Sequence, residues 1–197
     1  ADILFFPSSY RRAIKYGQKD AANEILRTEV LSRLEQKKPV TVVTYPEALA
    51  EKVVSRKRLS DAMLTLKVGQ QEDTVKLMET LSKYGFEHVD YVYEPGQFAL
   101  RGSILDVYSF ASEYPYRIDF FGDEIDSLRT FEVETQLSKE KKDSICIVPE
   151  LSGTEGADIC FLDFVDKGAT LWVKDLLWVR ERIQAVHDEA VSTKKMN

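Results

Sequence analysis

The sequence predicts an α/β protein, an incomplete layer on parallel strands interrupted by a small α+β insert with an antiparallel sheet. Three observations predict it. Strand-like and helix-like segments alternate over residues 2–7, 19–38, 40–44 and 47–54, as when helices pack on a parallel sheet. Over residues 91–131, short β-branched and aromatic runs are separated by turn signals at Pro95-Gly96, Gly102-Ser103 and Gly122-Asp123-Glu124, as in an antiparallel meander. From about residue 145 the α/β style returns. The expected division is 1–70 and 145–197 for the layer, and 71–144 for the insert.

Each element has a local reason. Residues 2–7 (DILFFP) form a short apolar run ended by Pro7, read as a buried strand. Ala22, Ile25, Leu26, Val30, Leu31 and Leu34 recur at helical spacing, and Pro39 stops that helix. Residues 40–44 (VTVVT) are the β-branched run of a strand buried on both faces. Pro46, at a first helical turn, opens a helix over 47–54. Two strands do not complete a parallel sheet, and the chain opens at Ala1 rather than an initiator Met. The layer is therefore expected to belong to a longer protein.

Arg56, Lys57 and Arg58 read as a solvated helix terminus complementing the macrodipole rather than as a phosphate contact. Residues 59–72 read as a linker with a strand-like stretch at 63–68. Asp73 is placed to cap a helix over 74–84, with Val75, Met78 and Leu81 inward and Gly85 closing it. Period-two alternation along 116–121 puts Tyr116, Ile118 and Phe120 on one face and Arg117, Asp119 and Phe121 on the other. A large aromatic among charges on the wet face is a surface for contact. Residues 143–149 (DSICIVP) read as a strand leaving the insert, and 151–156 as a loop. Residues 169–173 (ATLWV) read as another buried strand. Asp175 caps a last helix with Leu176, Val179, Ile183, Val186 and Ala190 on one stripe.

Hydrophobic content of 44% and charged content of 30% are those of an ordinary soluble domain. No apolar run approaches the roughly 18–20 residues of a membrane span, and no signal-peptide pattern opens the chain. Cys146 and Cys160 read as small buried hydrophobes in a reducing cytosol, so a cytoplasmic location is expected. The net charge of −6 is unevenly spread. Residues 1–85 carry 15 basic and 11 acidic side chains, residues 86–144 carry 6 and 13, and residues 145–197 carry 6 and 9. A middle segment of net charge −7 is a poor duplex-DNA binder, since phosphate neutralisation by Lys and Arg drives non-specific affinity. It suits a partner with a basic patch.

Catalytic signatures are absent: no phosphate loop, no GxGxxG after a strand, no HExxH and no GxSxG. His88 and His187 stand apart from any nucleophile motif. Asp123, Glu124 and Asp126 read as a charged hairpin tip that discourages edge aggregation, not as a metal site. The chain is expected to hold no cofactor and no metal, and not to be an enzyme.

The stretch PGQFALRGSILDVYSFASEYPYRIDFFGDEIDSLRTFEVETQLS resembles a module shared by the bacterial transcription-repair coupling factors (Mfd) and the UvrB subunit of the excision nuclease. The family pattern is a turn, an Arg-Gly pair and a strand ending in a small loop with Ser-Glu. It continues with Arg, an aliphatic residue, an acid, Phe-Phe, Gly or Asp, and Asp-Glu-Ile, and residues 101–125 match it nearly throughout. TYPEAL at 44–49 stands where UvrB is expected to show a Tyr-Gly-Leu-Gly type of turn, so the chain resembles an N-terminal fragment of a coupling factor.

The resemblance implies a degenerate, UvrB-like, nucleotide-binding-like layer and a non-catalytic insert that recruits UvrA after RNA polymerase stalls at damaged DNA. It implies UvrA contacts at Arg101, Arg117 and Phe121; the competing reading is that Arg101 and Arg117 pair with Asp106, Asp119 or Glu113 on the sheet. It also implies a parent that is an ATP-dependent DNA translocase, meeting RNA polymerase and DNA through other parts, with no membrane partner. The alternative is a DNA- or nucleotide-binding part of a UvrB-type repair helicase, which predicts salt-sensitive DNA affinity.

Overall fold

The computed structural model describes residues 2–10, 20–151 and 157–195. In chain order the elements are β1 (Asp2–Phe6), α1 (Ala21–Glu35), β2 (Val40–Thr44), α2 (Pro46–Leu49), β3 (Lys52–Val54), α3 (Arg56–Ala62), β4 (Leu64–Lys67), α4 (Thr74–Lys83) and β5 (Glu87–His88). They continue with β6 (Gln97–Arg101), β7 (Ile104–Val107), β8 (Tyr116–Phe121), β9 (Glu124–Phe131), β10 (Ser138–Lys142), β11 (Ser144–Ile147), β12 (Ala157–Cys160), α5 (Phe161–Phe164) and α6 (Leu176–Lys195). The chain divides into two compact units, residues 1–59 with 152–197 and residues 60–151. The content is mixed α/β, in small and mostly antiparallel sheets.

In the first unit β1 and β2 pair in parallel, Ile3 opposite Thr41 and Phe5 opposite Val43. Asp20 caps α1 by accepting from the Ala22 and Asn23 amides. Phe6 is buried and stacks on Phe161 with ring centroids 4.1 Å apart, while the Arg27 guanidinium lies 4.2 Å above its ring. Glu51 holds the turn after β1, accepting from the Ser9 hydroxyl at 2.6 Å and lying 3.4 Å from Arg27.

Several expectations for this unit are corrected. Ile3, Phe5 and Val43 are exposed, so neither strand is buried on both faces. The inward face of α1 combines Val30 and Leu31 with Arg27, Thr28 and Ser32; Arg27 donates to the Pro7 carbonyl and the Ser32 hydroxyl accepts from Gln36. Residues 47–54 split into the one-turn α2 and β3, which pairs with β12. The Val53-Val54 pair supplies the β-branched surface a strand favours.

The basic triplet opens α3 rather than ending a helix. Arg56 is tied down, donating to the Phe164 carbonyl at 2.9 and 2.6 Å, to Glu35 at 2.9 Å and to Asp166 at 3.1 Å. Residues 169–173 form no strand. Trp172 is 91% exposed and no ladder partner lies beside the run among the described residues. Asp175 does cap α6, accepting from the Trp178 amide at 2.9 Å. Val179, Ile183 and Val186 are half-buried on that helix, whereas Leu176 is exposed. Ala190 lies outside the residues whose side chains are described. Cys146 is half-buried and Cys160 exposed, so neither is a core thiol.

The second unit is built on a six-stranded sheet in the order β10-β9-β8-β7-β6-β5, antiparallel except between β5 and β6. One face, with Phe98, Leu105, Ile118, Phe120 and Leu128, packs against Leu77 and Leu81 of α4 and Leu66, Ile145 and Ile147 of the β4–β11 pair. Asp73 caps α4 as expected, and that cap sets the helical phase. Leu77 and Leu81, four residues apart, turn inward, while Val75 is 61% exposed.

The meander turns where glycine permits. Gly96 has φ +87, and a Cβ there would stand 2.8 Å from the Phe110 ring. The β8–β9 ladder carries a bulge. Asp119 faces Ser127, but Phe120 faces Ile125, which leaves Asp126 as the extra residue. The bulge removes an acid from the row that enters the core and seats Ile125 against Phe120.

Candidate docking face

Strand alternation sends Asp106, Arg117 and Asp119 to the face of the sheet opposite the main core. Arg101 closes β6, Arg117 lies on β8, and β7 runs between them. Register sets Asp106 directly beside Arg117 and beside Ala99. The two guanidinium groups converge on this one carboxylate. Arg117 Nε donates to Oδ1 at 2.7 Å and its Nη2 to Oδ2 at 2.8 Å, a bidentate fork, and Arg101 Nη2 donates to Oδ2 as well.

The Asp106 side chain is 1% exposed. A carboxylate so buried persists only when paired and hydrogen-bonded, and here two cations hold it. The hydrogen bonds Arg117 donates to Asp106 hold its pKa above the ordinary value, with desolvation pulling the other way.

The two arginines are committed to different degrees. Arg117 also donates to the Gln136 carbonyl at 3.0 Å and to Gln136 Oε1 at 3.1 Å, and lies 4.1 Å above the Phe131 ring. Its side chain is 12% exposed. Gln136 adopts a left-handed backbone, φ 59, to present both oxygens. Arg101 donates once more, to the Asp90 carbonyl at 3.2 Å, and lies 4.8 Å above the Tyr91 ring. Its side chain is 32% exposed, and its Nε and one hydrogen on each terminal nitrogen have no acceptor among the described residues.

Phe121 ends β8 and is 83% exposed. Its hairpin is not a free arm. The Gly69 amide donates to the Ile125 carbonyl at 2.8 Å, the Ile125 amide to the Gln70 carbonyl at 2.9 Å, and the Glu72 amide to the Asp123 carbonyl at 2.8 Å. The exposed ring is thus carried on backbone fixed from two sides.

All three residues expected at the site therefore lie on or beside one face. The outward reading holds for Phe121 and needs correction for Arg117, which points away from the core but is covered by Asp106, Gln136 and Phe131. Sequence reasoning missed Gln136, which no motif marks, and offered Asp106 only as one of three acids, with Asp119 and Glu113, that could pair with the arginines; the structure selects Asp106 for both. That selection had a signal, since a two-residue turn at Gly102-Ser103 aligns β6 with β7 and brings Asp106 under both arginines. Among the described residues no group of three His, Cys, Asp or Glu side chains is arranged to hold a metal ion, and no helix is long and apolar enough to cross a membrane.

One sheet face thus carries the Arg101–Asp106–Arg117 cluster, with the exposed Phe121 ring beside it. Residues 64–152 match the family described as the UvrB interaction domain. The chain is 37% identical over 123 residues to the transcription-repair-coupling factor of Escherichia coli, covering 62% of this chain and 11% of that protein. The transcription-repair-coupling factor of Haemophilus influenzae is 31% identical over 150 residues, 75% of this chain and 13% of that protein. That of Bacillus subtilis is 33% identical over 123 residues, 62% of this chain and 10% of that protein. These similarities bear out the resemblance read from residues 101–125. The chain spans about a tenth of the length of these relatives.

Proposed function

We propose that the face carrying Arg101 and Phe121 docks UvrA, and that the chain acts as the recruiting part of a transcription-repair coupling factor in transcription-coupled excision repair. The observation that carries this reading is the unequal commitment of the arginines. Arg101 keeps three N–H donors for a partner carboxylate, Phe121 offers apolar area at little conformational cost, and Arg117 is the mount that fixes the Asp106 carboxylate between them.

ATP-driven translocation, and contact with RNA polymerase and DNA, belong in this reading to the remainder of a much longer parent. Residues 1–70 and 145–197 are then the remnant of a nucleotide-binding-like layer, and 71–144 its insert. The parallel β1–β2 pair with α1 between its strands in sequence supports that assignment.

The test is calorimetric titration of UvrA with the chain. Arg101→Ala and Phe121→Ala are expected to weaken binding by about 2 kcal/mol each, roughly thirtyfold, with the unfolding temperature of Phe121→Ala unchanged. Normal binding by both variants would sink the assignment. Salt-sensitive binding of duplex DNA by the chain, without UvrA binding, would favour the repair-helicase alternative.

A further inference from the structure

The polar face of the sheet holds more positive charge than the two arginines at Asp106. Register continues the row outward: Arg117 of β8 stands opposite Arg129 of β9, and Arg129 opposite Lys141 of β10. Directly paired residues in an antiparallel ladder share a face and keep their Cβ atoms about 4.5–5.5 Å apart. Three cations therefore lie side by side across three strands, an arrangement that destabilises a sheet unless something offsets it.

Little in the chain offsets it. Asp106 is engaged by Arg117 and Arg101. Asp119, on the same face, reaches Arg129 Nη2 only at 3.5 Å. Arg129 Nε is buried with no acceptor, the orphan donor among the described side chains. Lys141 is exposed. Arg101, Arg117, Arg129 and Lys141 thus form a group of four cations whose ion-pair partners among the described residues are Asp106 and Asp119, in a segment whose overall charge is −7.

We infer that Arg129, with Lys141 beside it, extends the docking face across β9 and β10 and receives a second acidic group of the partner protein. This rests on the docking reading above and lengthens the contact from a spot to a band running across the strands from Arg101 to Lys141. The under-paired Arg129 guanidinium gains a charge-assisted acceptor when a carboxylate arrives, and the like-charge row is relieved at the same moment. A protein carboxylate fits better than a nucleic-acid backbone. Asp123, Glu124 and Asp126 crowd the hairpin beside the row and would repel a continuous line of phosphates.

The experiment titrates UvrA into the full chain carrying Arg129→Ala, Arg129→Glu or Lys141→Glu, with thermal unfolding recorded for each. Arg129→Ala is expected to weaken UvrA binding about tenfold with an unfolding temperature equal to or above that of the unmodified chain. The reversals should weaken it more, and Arg129→Lys should restore part of the loss. Lys141→Glu, at an exposed edge position, reports on the row even if the Arg129 variants unfold. Unchanged UvrA affinity in Arg129→Glu and Lys141→Glu, while Arg101→Ala still weakens binding about thirtyfold, overturns the inference and spares the docking reading. Unchanged affinity in all of them, Arg101→Ala included, overturns both. Loss of duplex-DNA binding in place of UvrA binding also overturns it.

Discussion

The two faces of the six-stranded sheet use the same strands for opposite ends. On one, Leu105 sits between Leu100 and Ile118 in register and is sealed by α4 and the β4–β11 pair. On the other, one strand removed in neither direction, Asp106 sits between Ala99 and Arg117 and is sealed by charge. The apolar face gains stability from area removed from water, which is indifferent to fine geometry. The polar face gains little net stability from its buried ions but fixes guanidinium groups at set positions. Adjacent residues of β7 thus divide the labour between sealing the apolar core and fixing the guanidinium groups.

Substitutions can break or sharpen that division. Leu105→Ala opens a cavity in the sealed face and is expected to cost about 2–5 kcal/mol in urea unfolding, with UvrA affinity of the folded fraction retained. Lost affinity at full folding would mean the faces are not separate. Asp106→Ala strands Arg117 beneath Gln136 without its anion. A cost of about 3 kcal/mol is expected together with loss of binding, the one substitution predicted to register on both scales. An unaltered unfolding midpoint would show that the ion cluster is cosmetic. Gly96→Ala forces a β-carbon into left-handed backbone and against the Phe110 ring, and about 1–2 kcal/mol should be lost, read as a lower unfolding temperature. Phe121→Ala should move stability by less than about 0.5 kcal/mol. Its effect belongs to binding alone, and a marked stability loss would erase the contrast.

How far this was legible in the sequence differs by region. In the meander, local rules sufficed. Gly96, Gly102 and Gly122 mark turns that only their φ values allow, and alternation from Ile118 assigns the face of every β8 residue. The bulge was readable in principle. Ile125 and Leu128 are three apart, an odd spacing that cannot keep both on one face of a regular strand, so one residue between them had to be extra.

The first unit was harder. Apolar runs such as DILFF and ATLWV look like buried strands because composition reports what a segment tolerates, and burial depends on what covers it. Ile3 and Trp172 are exposed for that reason. The shared sheet face of Arg101, Arg117 and Phe121 was legible, but the difference in burial between Arg101 and Arg117 was not. It depends on Gln136, nineteen positions from Arg117 along the chain and brought to it only by folding.

The bulge at Asp126 has a mechanical side. Because Ile125 is released from strict ladder geometry, its amide and carbonyl both bond to the segment at Gly69 and Gln70. A pull applied through a partner gripping Phe121 would therefore be divided between the β8–β9 ladder and the backbone entering α4. A plain hairpin would carry the whole load on its own rungs and open from the tip. This one is braced, so a tethered partner could be hauled without the grip unravelling.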